Sequence, residues 1–148
     1  MSEFWPVDEL VPHGGDMILL DEVLESRDKG VTVALSVRED GLFDVDGRVP
    51  AWLGIEYMAQ TIAAFAGIRA KKAGEPVKLG FLVGTRRYQS PRDHFRCGEQ
   101  LTVNVDEVLC GENGLSVFEC EINGDGYSLT ANLNVFQPED VEQFLEQQ

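Results

Sequence analysis

The pattern of hydrophobic and polar positions changes period as the chain is followed. Asp8-Glu9-Leu10, between Pro6 and Pro12, predicts a short helical turn, and Met17–Val23 (MILLDEV) is an apolar run of strand length. Val31, Val33, Leu35 and Val37 alternate with Thr32, Ala34 and Ser36, the period of two that sets one face of a strand against a core. Asp44-Val45-Asp46-Gly47 predicts a loop before Pro50. From Ala51 to Ala73 the pattern switches: AWLGIEYMAQTIAAFAGIRAKKA has no internal Pro, is rich in Ala, and precedes Gly74, a residue suited to end a helix. Such a helix runs roughly 34 Å at ~1.5 Å per residue. Its first four turns are apolar nearly all round, apart from Glu56, Gln60 and Thr61, which predicts burial on most sides. Arg69, Lys71 and Lys72 complement the negative end of its dipole.

Only strand patterns follow: Leu79–Val83, the alternation of Leu101, Val103 and Val105, then Leu115–Ile122 and Tyr127–Phe136. Gly111-Glu112-Asn113-Gly114 and Asn123-Gly124-Asp125-Gly126 supply tight connections between them. One long helix followed by an antiparallel meander predicts an α+β domain whose sheet wraps around a central helix. No repeat or linker divides residues 1–148, so one domain is expected, with its core over about 10–136 and a tail over 137–148.

Composition narrows the class. With 148 residues, 43% of them hydrophobic, the chain can bury one sizeable core and is not of disordered type. The 26 acidic residues against 12 basic ones, a net charge of −14, argue against general nucleic-acid binding, which needs a basic face. No apolar run approaches the ~18 residues of a membrane span, so a protein without a membrane partner is expected. MSEFWPVDEL lacks the basic start and apolar stretch of a signal peptide. Cys97, Cys110 and Cys120 show no metal-ligand spacing and read as free thiols, which together point to the cytoplasm and to no bound metal.

Three segments, in order, carry a resemblance. LVPHGGDMILLDEVLE (10–25) resembles the LPHRxPxLLLDRV opening of the 3-hydroxyacyl-carrier dehydratases of the FabA/FabZ group. PAWLGIEYMAQ (50–60) is similar to that family's PGxLxxE/DAMAQ, with Pro50, Leu53, Glu56, Met58, Ala59 and Gln60 in register. FLVGTRRYQSPRDHFRCGEQLTV (81–103) is similar to its strand pair ending in PGDxL. More narrowly, the opening and the VPAWLGIEYMAQTIAA–GFLVGTRRY pairing look like the ApeP-like dehydratases of aryl-polyene pathways. The resemblance implies a hot-dog fold, dehydration of 3-hydroxyacyl chains on an acyl carrier protein, and Glu56 as the helix acid. One such sheet leaves an edge and a tunnel wall needing a mate, so a homodimer, or a heterodimer with a homologous hot-dog subunit, is expected, and the resemblance implies no cofactor beyond the carrier's own phosphopantetheine. One departure stands out. The family's catalytic His lies fourteen residues before the helix acid, where this chain has Leu42 in a loop without His.

Dehydration removes a proton at C2 and expels the C3 hydroxyl, so the chemistry needs a base, an acid and donors for the thioester oxygen. Glu56, on an apolar helix, suits the acid, with a structural carboxylate as the alternative. Of the two histidines in the chain, His13 is the candidate base, or the group that orients Glu56; a turn histidine bonded to backbone is the equal alternative. His94, in Arg92-Asp93-His94-Phe95-Arg96, reads as solvated. The N–H groups of Ala51 and Trp52 at the helix start are candidates for the oxyanion site, and Gln60, one turn beyond Glu56, reads either as a site ligand or as a core amide satisfied by backbone. Eight of the basic residues lie between Arg69 and Arg96 against two acids, a local +6 that leaves −20 elsewhere. Within that stretch Arg86 and Arg87 are candidates for the carrier's phosphate, with a solvated basic face as the alternative. A hot-dog thioesterase and a non-catalytic carrier-binding subunit of another dehydratase remain as alternative functions.

Overall fold

The computed structural model describes residues 5–11, 17–39, 43–75, 81–111 and 113–136. In chain order, a 3-10 turn (Val7–Glu9) is followed by β1 (Glu22–Arg27), β2 (Gly30–Ser36), β3 (Arg48–Pro50) and α1 (Leu53–Lys72). After the helix come β4 (Phe81–Gln89), β5 (His94–Arg96), β6 (Gln100–Cys110), β7 (Leu115–Asn123) and β8 (Ser128–Phe136). Six strands form one antiparallel sheet in the order β1-β2-β6-β7-β8-β4, and β3 pairs with β5 in a separate small sheet. The helix packs on the large sheet against β2, β6, β7 and β4. This is the α+β arrangement that the pattern of the chain predicts.

Periodicity explains most of these elements. In β2, Val31, Val33 and Leu35 are buried while Thr32, Ala34 and Ser36 are half-covered, and Val103 and Val105 of β6 face the same core. The helix ends in a full Schellman motif: Glu75 N–H donates to Ala70 O (2.8 Å), Gly74 N–H donates to Lys71 O (3.2 Å), and Gly74 holds φ at 70°. The helix buries Leu53, Met58, Ile62, Phe65 and Ile68. One flank, Ile55, Glu56, Ala59, Ala63 and Ala66, stays half-covered.

The apolar run at 17–23 departs from its predicted strand. Pairing begins only at Glu22, because the stretch ahead of it is engaged by the helix: Leu19 N–H donates to Gln60 Oε1 at 2.9 Å. The strand expected over 79–83 instead runs through Gln89, with Arg86 opposite Asn132 of β8.

Close approach of the N-terminal turn to the helix makes Gly67 indispensable. A Cβ there would overlap the backbone of Leu10, with its carbonyl carbon and Cα both 2.9 Å away. Backbone cannot swing aside as a side chain can. Gly67→Ala should therefore lower stability by about 1–3 kcal/mol despite its better helix propensity. A denaturation midpoint equal to or above that of the parent chain would contradict this contact.

Candidate active site

Glu56 sits one turn into α1 on the half-covered flank, where its neighbours are apolar. Its orientation is set by Gln60, which is 0% exposed. Gln60 Oε1 accepts the Leu19 N–H, so the amide nitrogen faces the other way and donates to Met17 O (2.7 Å) and to Glu56 Oε1 (3.0 Å). Gln60 is thus a core amide satisfied by backbone that also donates to the Glu56 carboxyl.

The helix start offers one donor fewer than the sequence suggests. Ala51 N–H is not free: it donates to Asp93 O at 3.0 Å, which ties the turn to the small sheet. Ala51 O accepts the Gly54 N–H (2.9 Å) and the Tyr88 hydroxyl. Trp52 has helical dihedrals without a side-chain cap, and among the described residues its N–H has no acceptor. Trp52 as a whole is 60% exposed, unusual for so large an apolar residue.

His13 lies outside the described residues. The ring of His94 is partly rather than fully solvated: its side chain is 25% exposed and its Nδ1 lies 2.6 Å from Asp93 Oδ1 in an exposed pair. That hydrogen bond, followed by the charge of the ring, holds the Asp93 carboxyl below the usual carboxylate range. Pairing of Pro50 with His94 brings this residue beside the helix start, which its position in a charged loop did not suggest.

The basic stretch is partly spent on the fold. Arg69 pairs with Glu107 (3.3 Å) and lies 4.4 Å over the Phe65 ring, and Arg92 pairs with Glu99 (3.6 Å) and lies 4.5 Å over the Tyr127 ring. Arg86 and Arg87 lie on β4, and their side chains are outside what the structure describes. Cys97, Cys110 and Cys120 are free thiols, and burial pushes the Cys120 thiol up to about 12. Among the described residues no group of three or more His, Cys, Asp or Glu is placed to hold a metal ion. No described helix is long and apolar enough to cross a membrane.

A shallow open depression with a cavity volume of only about 10 Å³ lies beside the first turns of α1, lined by Leu19, Phe43, Val49, Leu53 and Tyr57 with Ser36 and Arg38. Its wall is apolar apart from those last two, and Glu56, between Leu53 and Tyr57 in sequence, is not part of it. Tyr57 is in turn held by Phe95, with ring centroids 5.6 Å apart.

Comparison with known proteins places this geometry. The family model described as "ApeP-like: ApeP dehydratase" matches residues 5–146. Among solved structures, the dehydratase heterocomplex ApeI:P from Xenorhabdus doucetiae contains a chain 32% identical to this one, with a TM-score of 0.87, covering 97% of this chain and 98% of that one. A hypothetical thioesterase with coenzyme A from Streptococcus pneumoniae is 19% identical, with a TM-score of 0.57 over 78% of this chain and 84% of its own. The smu.793 protein from Streptococcus mutans, bound to acetyl-CoA, is 12% identical, with a TM-score of 0.59 over 78% and 86%. The last two likenesses are of fold alone. No curated protein matches the chain.

Proposed function

The chain belongs to the ApeP-like dehydratase family, and from that membership we propose that it dehydrates 3-hydroxyacyl thioesters carried on an acyl carrier protein to trans-2-enoyl thioesters. The hot-dog fold it shares with the ApeI:P chain supplies the scaffold. The observation that carries the reading is the fixed pair Glu56–Gln60 at the start of the central helix. A carboxyl group held by a buried amide is kept in a defined orientation, as a proton donor to a leaving hydroxyl requires.

In the proposed elimination the base takes the C2 proton, and the C2–H electron pair forms the C2=C3 double bond. The C3–O bond breaks as the Glu56 carboxyl delivers its proton, so the oxygen leaves as water. Negative charge that gathers on the thioester oxygen is met by the N–H of Trp52, and the dipole of α1 acts in the same sense. His13 is the proposed base. No oxidation state changes overall, and the proposal invokes no metal or nucleotide; phosphopantetheine arrives with the carrier, where Arg86 and Arg87 are proposed to meet its phosphate. The aryl-polyene pathway is the proposed setting.

A second hot-dog subunit is part of the proposal. The loop position that holds the catalytic His in the FabA/FabZ group is Leu42 here, and the similar chain from Xenorhabdus doucetiae was solved as one half of a dehydratase heterocomplex. Strand β4 also pairs only with β8 among the described strands, which leaves a nine-residue edge for a mate. The specific reading this favours is a chain that contributes Glu56 to a site completed by its partner.

The test is an incubation of the chain, alone and mixed with a homologous hot-dog dehydratase subunit, with 3-hydroxyacyl and with plain acyl carrier thioesters. Enoyl formation from the first substrate is the expected result. Release of free thiol from both substrates would replace the dehydratase by a thioesterase. Enoyl formation only in the mixture, undiminished when Glu56 is replaced by Gln, would reduce this chain to a carrier-binding subunit.

A further inference from the structure

We infer that Tyr88 is a positioning residue for the Trp52 N–H, acting through the peptide group that joins Ala51 to Trp52; this rests on the dehydratase reading of the helix start. The carbonyl of Ala51 and the N–H of Trp52 belong to one planar unit, and that unit is trans, so the two point to opposite sides. Fixing the carbonyl therefore fixes the direction of the N–H. The Tyr88 hydroxyl donates to Ala51 O, reaching across from β4, and the Gly54 N–H donates to the same oxygen at 2.9 Å. Two donors on the carbonyl draw electron density toward it and make the N–H at the other end of the amide a stronger donor. The third anchor of the turn, Ala51 N–H to Asp93 O at 3.0 Å, stops the unit from rotating as a whole.

The surroundings of Tyr88 agree with this task. Gly54 lies directly against the hydroxyl: a Cβ there would strike it, with Ile122 Cδ1 at 3.1 Å and Phe95 Cζ at 3.3 Å closing the other sides. The helix therefore lacks a side chain at the one point where the hydroxyl must pass. Burial pushes the Tyr88 hydroxyl up to about 12, so it stays protonated and able to donate throughout the neutral range.

The experiment follows the thioester carbonyl directly. The full-length chain, as parent, Tyr88→Phe and Gly54→Ala/Tyr88→Phe, is loaded with a saturated acyl-pantetheine thioester carrying ¹³C at its carbonyl, and the infrared stretch of the bound carbonyl is recorded. The parent is expected to lower the frequency relative to the free thioester, and Tyr88→Phe to lose most of that shift while its thermal midpoint stays close to the parent's. In the dehydration assay kcat should fall roughly tenfold with KM little changed, less than the loss of a whole oxyanion donor. Removing the hydroxyl relieves the severest contact at position 54 and leaves Ile122 Cδ1 and Phe95 Cζ to give by a few tenths of an ångström, so Gly54→Ala added to Tyr88→Phe should cost little further shift. An unchanged carbonyl frequency in Tyr88→Phe, or no shift in the parent chain, overturns the inference. A shift that depends on Tyr88 in a chain that forms no enoyl product, either alone or mixed with a homologous hot-dog dehydratase subunit, would instead overturn the dehydratase reading and leave the role of Tyr88 standing.

Discussion

Replacing Glu56 with Gln should lower enoyl formation by roughly 10²–10⁴-fold, the range in which a positioned acid contributes to catalysis. Gln keeps the size of the side chain and an oxygen able to accept from Gln60 Nε2, so the 3.0 Å contact that holds the group survives. What it lacks is an acidic proton to give the leaving hydroxyl. The residue is half-covered, so the rate should fall far more than the thermal midpoint. The decisive pair of measurements is the single-turnover rate and the thermal midpoint of the same preparation. A rate within a few-fold of the parent's would remove Glu56 from the chemistry and with it the proposed elimination. His13→Ala provides the companion test: a large fall in rate assigns the base to this chain, and an unaltered rate in the mixed complex assigns it to the partner.

The second large effect is expected at Gln60→Leu, and it falls on stability first. Gln60 is 0% exposed and satisfies two backbone groups on the crossing segment, Met17 O and Leu19 N–H. Leu has a similar volume, so little cavity opens, yet both backbone groups lose their partner inside the protein. At about 1–3 kcal/mol for each buried group left unpaired, a loss of roughly 3 kcal/mol follows. In a domain of this size that is on the order of 10 °C in the melting temperature. Glu56 also loses the donor that orients it, so kcat should fall even at temperatures where the variant is folded. Gln60→Glu separates the two effects. It restores an acceptor for Leu19 N–H but puts a second carboxylate beside Glu56. A Gln60→Leu chain that melts within 2 °C of the parent, by the same reckoning, would show that the amide holds neither the segment nor the acid.

The two tests bear on different links of one chain of cause. Met17–Leu20 crosses the helix rather than pairing in the sheet, which is why Gln60 is needed there, and Gln60 in turn aims Glu56. The apolar run at 17–23 looked like a strand because a stretch packed on a helix and a strand packed on a sheet call for the same residues. Nothing local distinguishes them. The distinction comes from a glutamine 41 residues further on.

The residues of the helix start illustrate the same divide. Ala51 and Trp52 were recognisable as the first turn of a long helix, since the pattern from 51 to 73 is unmistakable, and free N–H groups are expected at such an end. Which of them stays free depends on Asp93, which arrives through the pairing of β3 with β5 and takes the N–H of Ala51. In the sequence Tyr88 reads only as the neighbour of Arg86 and Arg87 at a strand end, with nothing to link it to Ala51. Its one visible partner in sequence is Gly54, a glycine inside a helix that the helix itself does not require.

By itself the sequence determined the alternation of β2, β6, β7 and β8, the length and capped end of α1, the tight turns between the last strands, and the order of motifs that marks the family. These rest on contacts between residues a few positions apart, or on the burial preference of single side chains. Tertiary structure alone decided that Gln60 joins Glu56 to Met17 and Leu19, that Asp93 consumes the Ala51 N–H, and that the Tyr88 hydroxyl crosses 37 positions of chain to the Ala51 carbonyl. Each of these is a directional hydrogen bond between distant segments, and its formation depends on strand register and helix placement to within about 0.5 Å. Periodicity conveys which face of an element is buried; it carries no information about which polar atom on another element will meet it.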